Sequence, residues 1–191
     1  MRGHTNLSIH ELTISGLFAA LIGAGAFIKI TLPLQPVPMH FTLQWFFVLL
    51  AGLLLNKRTA AASVLVYLFL GLAGVPVFAS GGGPSYVLKP TFGYLLGFAA
   101  AAYVMAWMCE KFQVPGFSKL LLVSMCGLVM YYGIGLAYYF FACRLLVGRQ
   151  VPWQMLLFNG FFLTAWADLG LCAAAAGAAA RLRVTVRRGR L

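Results

Sequence analysis

The feature that most constrains this chain is a series of apolar runs long enough to cross a lipid bilayer as helices. A hydrocarbon core of about 30 Å needs about 20 helical residues. Six runs have or approach that length, and they cover residues 12–30, 40–55, 59–77, 92–109, 120–143 and 153–180. The runs are too long for barrel strands and lack a period of two. The sequence therefore predicts an all-α integral membrane protein, a six-transmembrane-helix bundle that forms one domain over residues 1–191.

The charge pattern supports a membrane protein over a nucleic-acid-binding one. Only 9% of the residues are charged and 62% are apolar, against about 25% and about 45–50% in soluble domains. The net charge of +11 would suggest nucleic acid as a partner in a soluble domain. Here the charges lie mainly between the apolar runs and at the two ends, where basic residues set membrane topology.

The lysines and arginines orient the predicted bundle. One side carries Arg2, Lys57, Arg58, Lys111, Lys119, Arg181, Arg183, Arg187, Arg188 and Arg190, and the other carries Lys29, Lys89, Arg144 and Arg149. Because cytoplasmic loops are enriched in basic residues, both termini are expected in the cytoplasm. Residues 181–191 then form a basic cytoplasmic tail near anionic headgroups.

The sequence carries none of the motifs expected of an enzyme. HExxH, GxSxG, the P-loop and an acidic pair for a divalent metal are all missing. The four cysteines form no CxxC pair and are read as small buried hydrophobes. We predict no catalytic residue, no cofactor and no metal, and no ATP hydrolysis by this chain itself.

Two loops rich in glycine and proline lie on the predicted external side. The first, "TLPLQPVPMHF", contains Pro33, Pro36 and Pro38, and the second contains "GVPVFASGGGPSYVLKPTFGY". A loop at membrane depth must pack on protein or line a wet cavity. Glycines 81–83 allow close backbone approach and movement. We interpret the pair as the lid or rim of a site, the alternative being ordinary turns between helices.

Asp168 is the one acid whose position is not explained by the prediction of a membrane protein. Glu11 suits a helix N-terminus, and Glu110 lies beside Lys111 at a cytoplasmic helix end. Asp168 has apolar residues on both sides, and an ionisable group at that depth indicates function. The alternative is structural pairing with a lysine or a backbone N–H. Helical spacing places it on one face with Phe161, Thr164, Ala165, Cys172 and Ala175.

Two lysines and one ridge of small residues complete the candidates. Lys89, inside the second loop, is the better cation for a ligand, whereas Lys29 at a span end is expected to snorkel to headgroups. Gly16, Ala20 and Ala24 follow a spacing of four in the first run. Such a ridge permits close helix approach, within this chain or with a partner membrane protein.

Several segments resemble the BioY family, the biotin-binding S components of energy-coupling factor (ECF) vitamin transporters. The resemblance runs from "PVPMHFTLQ" to the acid of the last apolar run and is densest across "LAGLLLNKRTAAASVLVYLFLGLAGVPVFASGGG" and "KPTFGYLLGF". It implies high-affinity biotin capture at the external face of a bacterial cytoplasmic membrane. It also implies possible association with a transmembrane coupling subunit and two ATPase subunits, and it favours the ridge near Ala20 as the partner surface.

The motif matches are assigned position by position. Gly74, Pro76, Phe78 and Ala79 match the family's GxPVFA turn, Pro90, Thr91, Gly93 and Tyr94 match most of its GPTGGY segment, and Asp168 matches the acid of its GDLxK pattern. The chain departs from these patterns at Phe92 and Lys89, which replace glycines, and at Leu171, which replaces a lysine. The missing lysine matters because biotin carries a carboxylate.

The resemblance implies that biotin is a transported ligand and not a cofactor. It also suggests a role for each candidate residue in binding biotin. Asp168 is expected to accept a ureido N–H, and Thr91, Ser80 or a loop backbone N–H to donate to the ureido carbonyl. Phe78, Tyr86 and Tyr94 are expected to cover the thioether ring. Lys89, which departs from the family pattern, is our own hypothesis for the cation that holds the carboxylate in place of the missing lysine. The alternatives are an S component for another vitamin, a small ion- or proton-coupled carrier that uses Asp168, and a structural scaffold.

Overall fold

The computed structural model describes residues 8–32, 39–114, 116–145, 152, 154 and 157–188. Six α-helices occur in these residues: α1 (Ile9–Phe27), α2 (Gln44–Leu54), α3 (Lys57–Leu72), α4 (Phe92–Phe112), α5 (Phe117–Leu145) and α6 (Leu163–Arg188). A 3-10 turn covers Pro84–Leu88 and a π-helical turn covers Phe158–Phe162. The predicted helical architecture is confirmed at this level. The backbone of α6 continues to Arg188, into the segment predicted as a basic tail.

Two short strands modify the all-α prediction. Strand β1 (Lys29–Leu32) pairs antiparallel with β2 (Met39–Thr42). The prediction that the second apolar run is helical from residue 40 is wrong at its start, because those residues complete a hairpin with residues just beyond α1. Lys29 Nζ also donates to the carbonyl oxygen of Ala79, a contact that the sequence reasoning did not predict. The three prolines of the first loop lie outside the described residues.

Side-chain caps explain where α1 and α3 begin. Ser8 and Glu11 form a capping box, with the Glu11 N–H 3.2 Å from Ser8 Oγ and the Ser8 N–H 2.9 Å from Glu11 Oε2. The Asn56 side chain accepts from Thr59 N–H and donates to Glu11 Oε1, both at 2.8 Å. These caps tie the start of α1 to the start of α3. Glu110 pairs with Lys57 of α3, at 3.4 Å, and not with its sequence neighbour.

The short helix α2 lies at the centre of the bundle and packs against each of the five other helices in the described residues. Val48, Leu49 and Leu53 are completely buried. Among the described helices, α1, α4 and α5 are long and apolar enough to cross a membrane, whereas α2 has 11 residues and α3 has 16. A central helix can be short because neighbouring protein, and not lipid, satisfies the backbone around it.

Arg183 of α6 connects the ends of two other helices, and its loss is expected to destabilise the fold. Its Nη1 donates to Val114 O at 2.9 Å and its Nη2 donates to Leu53 O. Leu53 lies in the last turn of α2, where carbonyls lack intrahelical donors, and Val114 lies two residues beyond the end of α4. We expect Arg183→Ala to lower the free energy of unfolding by about 1–3 kcal/mol, measured as a lower melting temperature in detergent. Arg183→Lys, which lacks the planar fork, should restore only part of it. An unchanged melting temperature for Arg183→Ala would contradict this role.

Candidate functional site

A cavity opens near the hairpin, between the N-terminal parts of α2, α4 and α6 and the middle of α5. The empty space within it, including its open mouth, is about 640 Å³. Its lining consists of His40, Phe41, Thr42, Gln44, Trp45, Ala79, Tyr86, Thr91, Tyr94, Leu95, Phe98, Tyr131, Thr164 and Asp168. The mixture of aromatic walls and a few polar groups suits a compact organic ligand with polar ends.

The segment 73–91, here named the glycine-rich loop, forms part of the mouth of this cavity. Gly81 and Gly83 have φ of 106° and 104°, a region that side chains other than glycine rarely adopt. An isolated bridge joins Phe78 to Gly81. The Phe78 ring fills a notch at Gly71 in α3, where a Cβ would lie 2.1 Å from Phe78 Cζ. The loop is therefore anchored on α3 through one buried aromatic ring.

The acidic wall of the cavity is built by α5 and α6. Asp168 is 2% exposed, and its Oδ2 accepts a hydrogen bond from the Tyr132 hydroxyl at 2.5 Å. The same hydroxyl lies 2.8 Å from Thr164 Oγ1. Within the described residues, Asp168 forms no ion pair with a lysine and accepts no backbone N–H. The structural pairing considered from the sequence is therefore replaced by a pairing with a phenol.

Stacked aromatic rings form the apolar wall. The Tyr131 ring stacks on Trp45 with centroids 4.6 Å apart and on Phe98 with centroids 5.1 Å apart. Tyr94 lies against Tyr131 at 5.5 Å. Offset stacking of this kind stabilises flat surfaces beyond simple burial. The wall therefore presents ring faces and edges to any ligand in the cavity.

Basic and polar side chains hold the glycine-rich loop at the mouth. Lys29 donates to Ala79 O, and Lys89 Nζ donates to the carbonyl oxygen of Ser80 at 3.2 Å. His40 Nε2 lies 2.7 Å from Ser80 Oγ, and His40 Nδ1 lies 3.0 Å from Thr31 Oγ1. Ala79 and Ser80, two successive loop residues, are therefore hydrogen-bonded by Lys29 and His40 of the hairpin and by Lys89 near the end of the loop. We name these contacts the mouth clasp.

The clasp makes the stability of the fold sensitive to pH. Partial burial, followed by the charges of Lys29 and Lys89, lowers the pKa of His40 from its ordinary 6.5. The unfolded chain therefore binds the His40 proton more tightly than the folded protein does. The free energy of unfolding falls as the pH drops below about 6.5, and it stops falling once the pH is below the pKa of His40 in the folded protein. We expect the melting temperature to fall between about pH 7.5 and pH 5.5, and to fall less in His40→Gln. Equal falls in both proteins would contradict this role.

Four of the seven predicted ligand residues line the cavity, and three do not. Asp168, Thr91, Tyr94 and Tyr86 are in the lining, whereas Phe78, Ser80 and Lys89 are not. Phe78 is buried beneath Tyr86, with ring centroids 4.5 Å apart. Ser80 and Lys89 are occupied in the clasp, and Lys89 Nζ also lies 4.4 Å from the centre of the Tyr86 ring. The ligand roles of all seven stay predictions.

Residues that the sequence reasoning missed form much of the lining. Gln44 is 2% exposed, accepts from Thr42 Oγ1 at 3.2 Å and donates to the Tyr67 hydroxyl. Gln44 ends the quoted segment "PVPMHFTLQ", which was the available signal. Trp45 and Tyr131 carried no signal, because aromatic residues are ordinary in apolar helices.

The ridge of small residues on α1 faces away from the bundle. Gly16, Ala20 and Ala24 are exposed, and a Cβ added at Gly16 would have nothing within 4 Å. Internal packing, one of the two roles left open by the sequence, therefore does not use this face in the described structure. Elsewhere in the described residues, no three His, Cys, Asp or Glu side chains cluster in a way that could hold a metal ion.

Taken together, the apolar helices and the open polar and aromatic cavity are those of a helical membrane protein with a candidate small-molecule site. A family model described as the BioY family matches residues 1–188. The chain belongs to the BioY family, as its motifs predicted.

Named relatives agree with this membership. The chain is 42% identical over 180 residues to a probable biotin transporter BioY of Lysinibacillus sphaericus, covering 94% of this chain and 90% of the relative. It is 41% identical over 128 residues to the biotin transporter BioY of Thermotoga maritima, covering 66% of this chain and 72% of that protein. A crystal structure of the S-component for biotin from an ECF-type ABC transporter superposes with a TM-score of 0.79, at 22% identity, over 93% of this chain and 95% of that one. The last likeness concerns the fold.

Proposed function

We propose that this protein captures biotin and carries it across the bacterial cytoplasmic membrane as the substrate-binding S component of an ECF transporter. The observation that carries the proposal is a buried carboxylate, Asp168, in the wall of an aromatic cavity in a chain of the BioY family. Biotin has a ureido ring with two N–H donors, an apolar thioether ring and a flexible acid tail. A carboxylate acceptor and an aromatic wall match the first two parts.

The cavity suggests an orientation for the bound ligand. Asp168 accepts a ureido N–H, while the stacked wall around Tyr131 and Tyr94 covers the thioether ring. Thr91 lines the cavity at the start of α4 and is a donor for the ureido carbonyl. A carboxylate is the preferred acceptor for a buried N–H, because charge-assisted hydrogen bonds are about twice as strong as neutral ones.

The acid tail then extends toward the mouth clasp. Leu171 stands where the family pattern has a lysine. It is partly buried, packs on the core and, as a leucine, carries no charge that could bind the acid tail. Lys89 and Lys29 lie at the mouth, each bonded to a neutral loop carbonyl. A carboxylate is a better acceptor than a carbonyl for an ammonium group. Lys89 can therefore exchange its bond to Ser80 O for a bond to the biotin carboxylate.

Replacing this lysine is expected to weaken binding selectively for the charged ligand. Lys89→Ala should weaken biotin about 10-fold, the value of one partly solvated charged hydrogen bond, as measured by calorimetry on the purified protein. It should leave the affinity for biotinamide, which lacks the carboxylate charge, within about two-fold. Lys119→Ala, on the opposite side of the predicted bundle, is the matched control. Equal weakening of biotin and biotinamide would contradict the assignment.

Membrane topology and partners follow from the same proposal. We assign six spans with both termini in the cytoplasm, which places the cavity and its mouth at the external side. The exposed ridge of Gly16, Ala20 and Ala24 on α1 is the proposed contact surface for a transmembrane coupling subunit, which would connect the protein to two ATPase subunits. Small residues suit this contact because they let helix backbones approach closely.

Biotin binding by the detergent-purified protein tests the proposal directly. We expect saturable 1:1 binding that unlabelled biotin competes away and that riboflavin and thiamine do not. Binding of another vitamin in place of biotin would assign a different substrate to the same architecture. Uptake in proteoliposomes that depends on a proton gradient and needs no ATPase partner would instead support a coupled carrier that uses Asp168.

A further inference from the structure

The phenol of Tyr132 is a buried polar group beside the site that the binding mode above does not use. Tyr132 is 3% exposed, and its hydroxyl lies between Asp168 Oδ2 and Thr164 Oγ1 at 2.5 and 2.8 Å. Its ring is held by Phe161, at 4.9 Å between centroids, and by Tyr131, at 4.7 Å. The hydroxyl is therefore restricted to one position between two side chains of α6.

Counting protons assigns a direction to this contact. A phenol carries one proton, and the Tyr132 hydroxyl donates it to Asp168 Oδ2. Thr164 is therefore the donor in the 2.8 Å contact with Tyr132, although its hydroxyl also lies 3.5 Å from the carbonyl oxygen of Phe161. Among the hydrogen bonds of the described residues, none reaches Asp168 Oδ1, although Asp168 lines the cavity. One carboxylate oxygen is thus committed to the protein, and the other is available to a ligand.

This hydrogen bond restricts the rotation of the Asp168 carboxylate about its terminal side-chain bond. Rotation of an Asp carboxylate about its terminal bond is broad and roughly two-fold. A donor fixed on Oδ2 removes that freedom, because it holds the plane of the group before a ligand arrives. An acceptor that is already oriented binds more tightly than one that must be ordered on binding.

We propose that Tyr132, supported by Thr164, is a positioning residue for biotin: it holds Asp168 Oδ2 so that Oδ1 accepts a ureido N–H. The inference rests on the proposed function and adds residues that the family motifs do not name. It predicts that ligands are selected for a rigid N–H donor, as in a cyclic urea, at this end of the cavity.

A double-mutant cycle separates positioning from packing. Biotin affinity is measured by calorimetry for the wild type, Tyr132→Phe, Asp168→Asn and the double variant, with melting temperatures as a check of folding. We expect Tyr132→Phe to weaken biotin about 10-fold in the wild type and less than about two-fold in the Asp168→Asn protein. Tyr139→Phe is the matched control, since Tyr139 is a buried tyrosine of α5 outside the lining, and it should leave the affinity unchanged.

A second cycle follows the hydrogen-bonded chain itself and does not require measurable binding by Asp168→Asn. Thr164→Val should weaken biotin less than Tyr132→Phe, and the double variant should be no weaker than Tyr132→Phe alone, because Thr164 acts through Tyr132. Fully additive losses in both cycles would show packing and overturn the inference, as would unchanged affinity of Tyr132→Phe in a biotin-binding protein. Absence of biotin binding by the wild type would overturn the proposed function together with this inference.

Discussion

Asp168→Asn is expected to weaken biotin binding by about 100-fold or more while the protein stays folded. The charged acceptor of a buried hydrogen bond contributes about 1.5–3 kcal/mol. The amide also introduces a donor, which would either oppose the ureido N–H or require the Tyr132 hydroxyl, 2.5 Å from Oδ2, to change from donor to acceptor. An unpaired or opposed donor in a water-poor site adds its own cost. Calorimetry with the wild type and the variant measures the ratio of affinities.

The matched control for this substitution is Glu110→Gln. Glu110 is another of the chain's three acids, and it accepts from the Lys57 N–H at 2.7 Å at the far end of α4, away from the cavity lining. Its neutralisation should leave biotin affinity unchanged within about two-fold. A similar loss of affinity in both variants would mean that the effect reflects general destabilisation, and retention of full affinity by Asp168→Asn would contradict the binding mode.

Gly135→Ala is expected to have the second largest effect, on stability and binding together. A Cβ at Gly135 of α5 would lie 2.3 Å from Cδ1 of Tyr94, a buried ring that lines the cavity. Overpacking of this kind costs about 1–3 kcal/mol, and relief requires Tyr94 to move toward the ligand space. We expect a lower melting temperature and biotin binding weakened by at least about 10-fold.

Gly133→Ala, on the same helix, is the matched control for Gly135→Ala. A Cβ added at Gly133 would have nothing within 4 Å, and the residue is exposed on the surface of the bundle. The same chemical change there should leave both the melting temperature and the affinity essentially unchanged. Equal losses of melting temperature and affinity in the two variants would contradict the close packing of Tyr94 on Gly135 as their cause.

The candidate site was partly predictable from the sequence, and the particular residues show why. Asp168 could be found because a carboxylate within a long apolar run is costly wherever its neighbours lie. Thr91, Tyr94 and Tyr86 lie in or next to motif segments with an unusual glycine and proline pattern, so they too could be named. Tyr132 could not, because a tyrosine in an apolar helix looks the same whether it faces lipid, core or ligand.

Two of the predicted ligand residues that do not line the cavity were misassigned for the same reason. Phe78 and Lys89 are in the correct loop, but the folded conformation of that loop on α3 decides which way they point. Phe78 turns into the notch at Gly71, and Lys89 turns toward the Ser80 carbonyl and the Tyr86 ring. Loop backbones with glycines at positive φ reverse direction within a few residues, so sequence proximity does not determine orientation.

The sequence alone determined that the chain is a helical membrane protein with one buried acid and a glycine-rich loop near the site. These properties follow from local composition, because the bilayer requires long apolar helices and penalises isolated charge. The tertiary structure alone decided that residues 39–42 form a strand, that α2 is the short central helix, and that Tyr132 meets Asp168. These features depend on which helices pack together, and that choice is made by the combined fit of surfaces far apart in the chain, not by any local pattern.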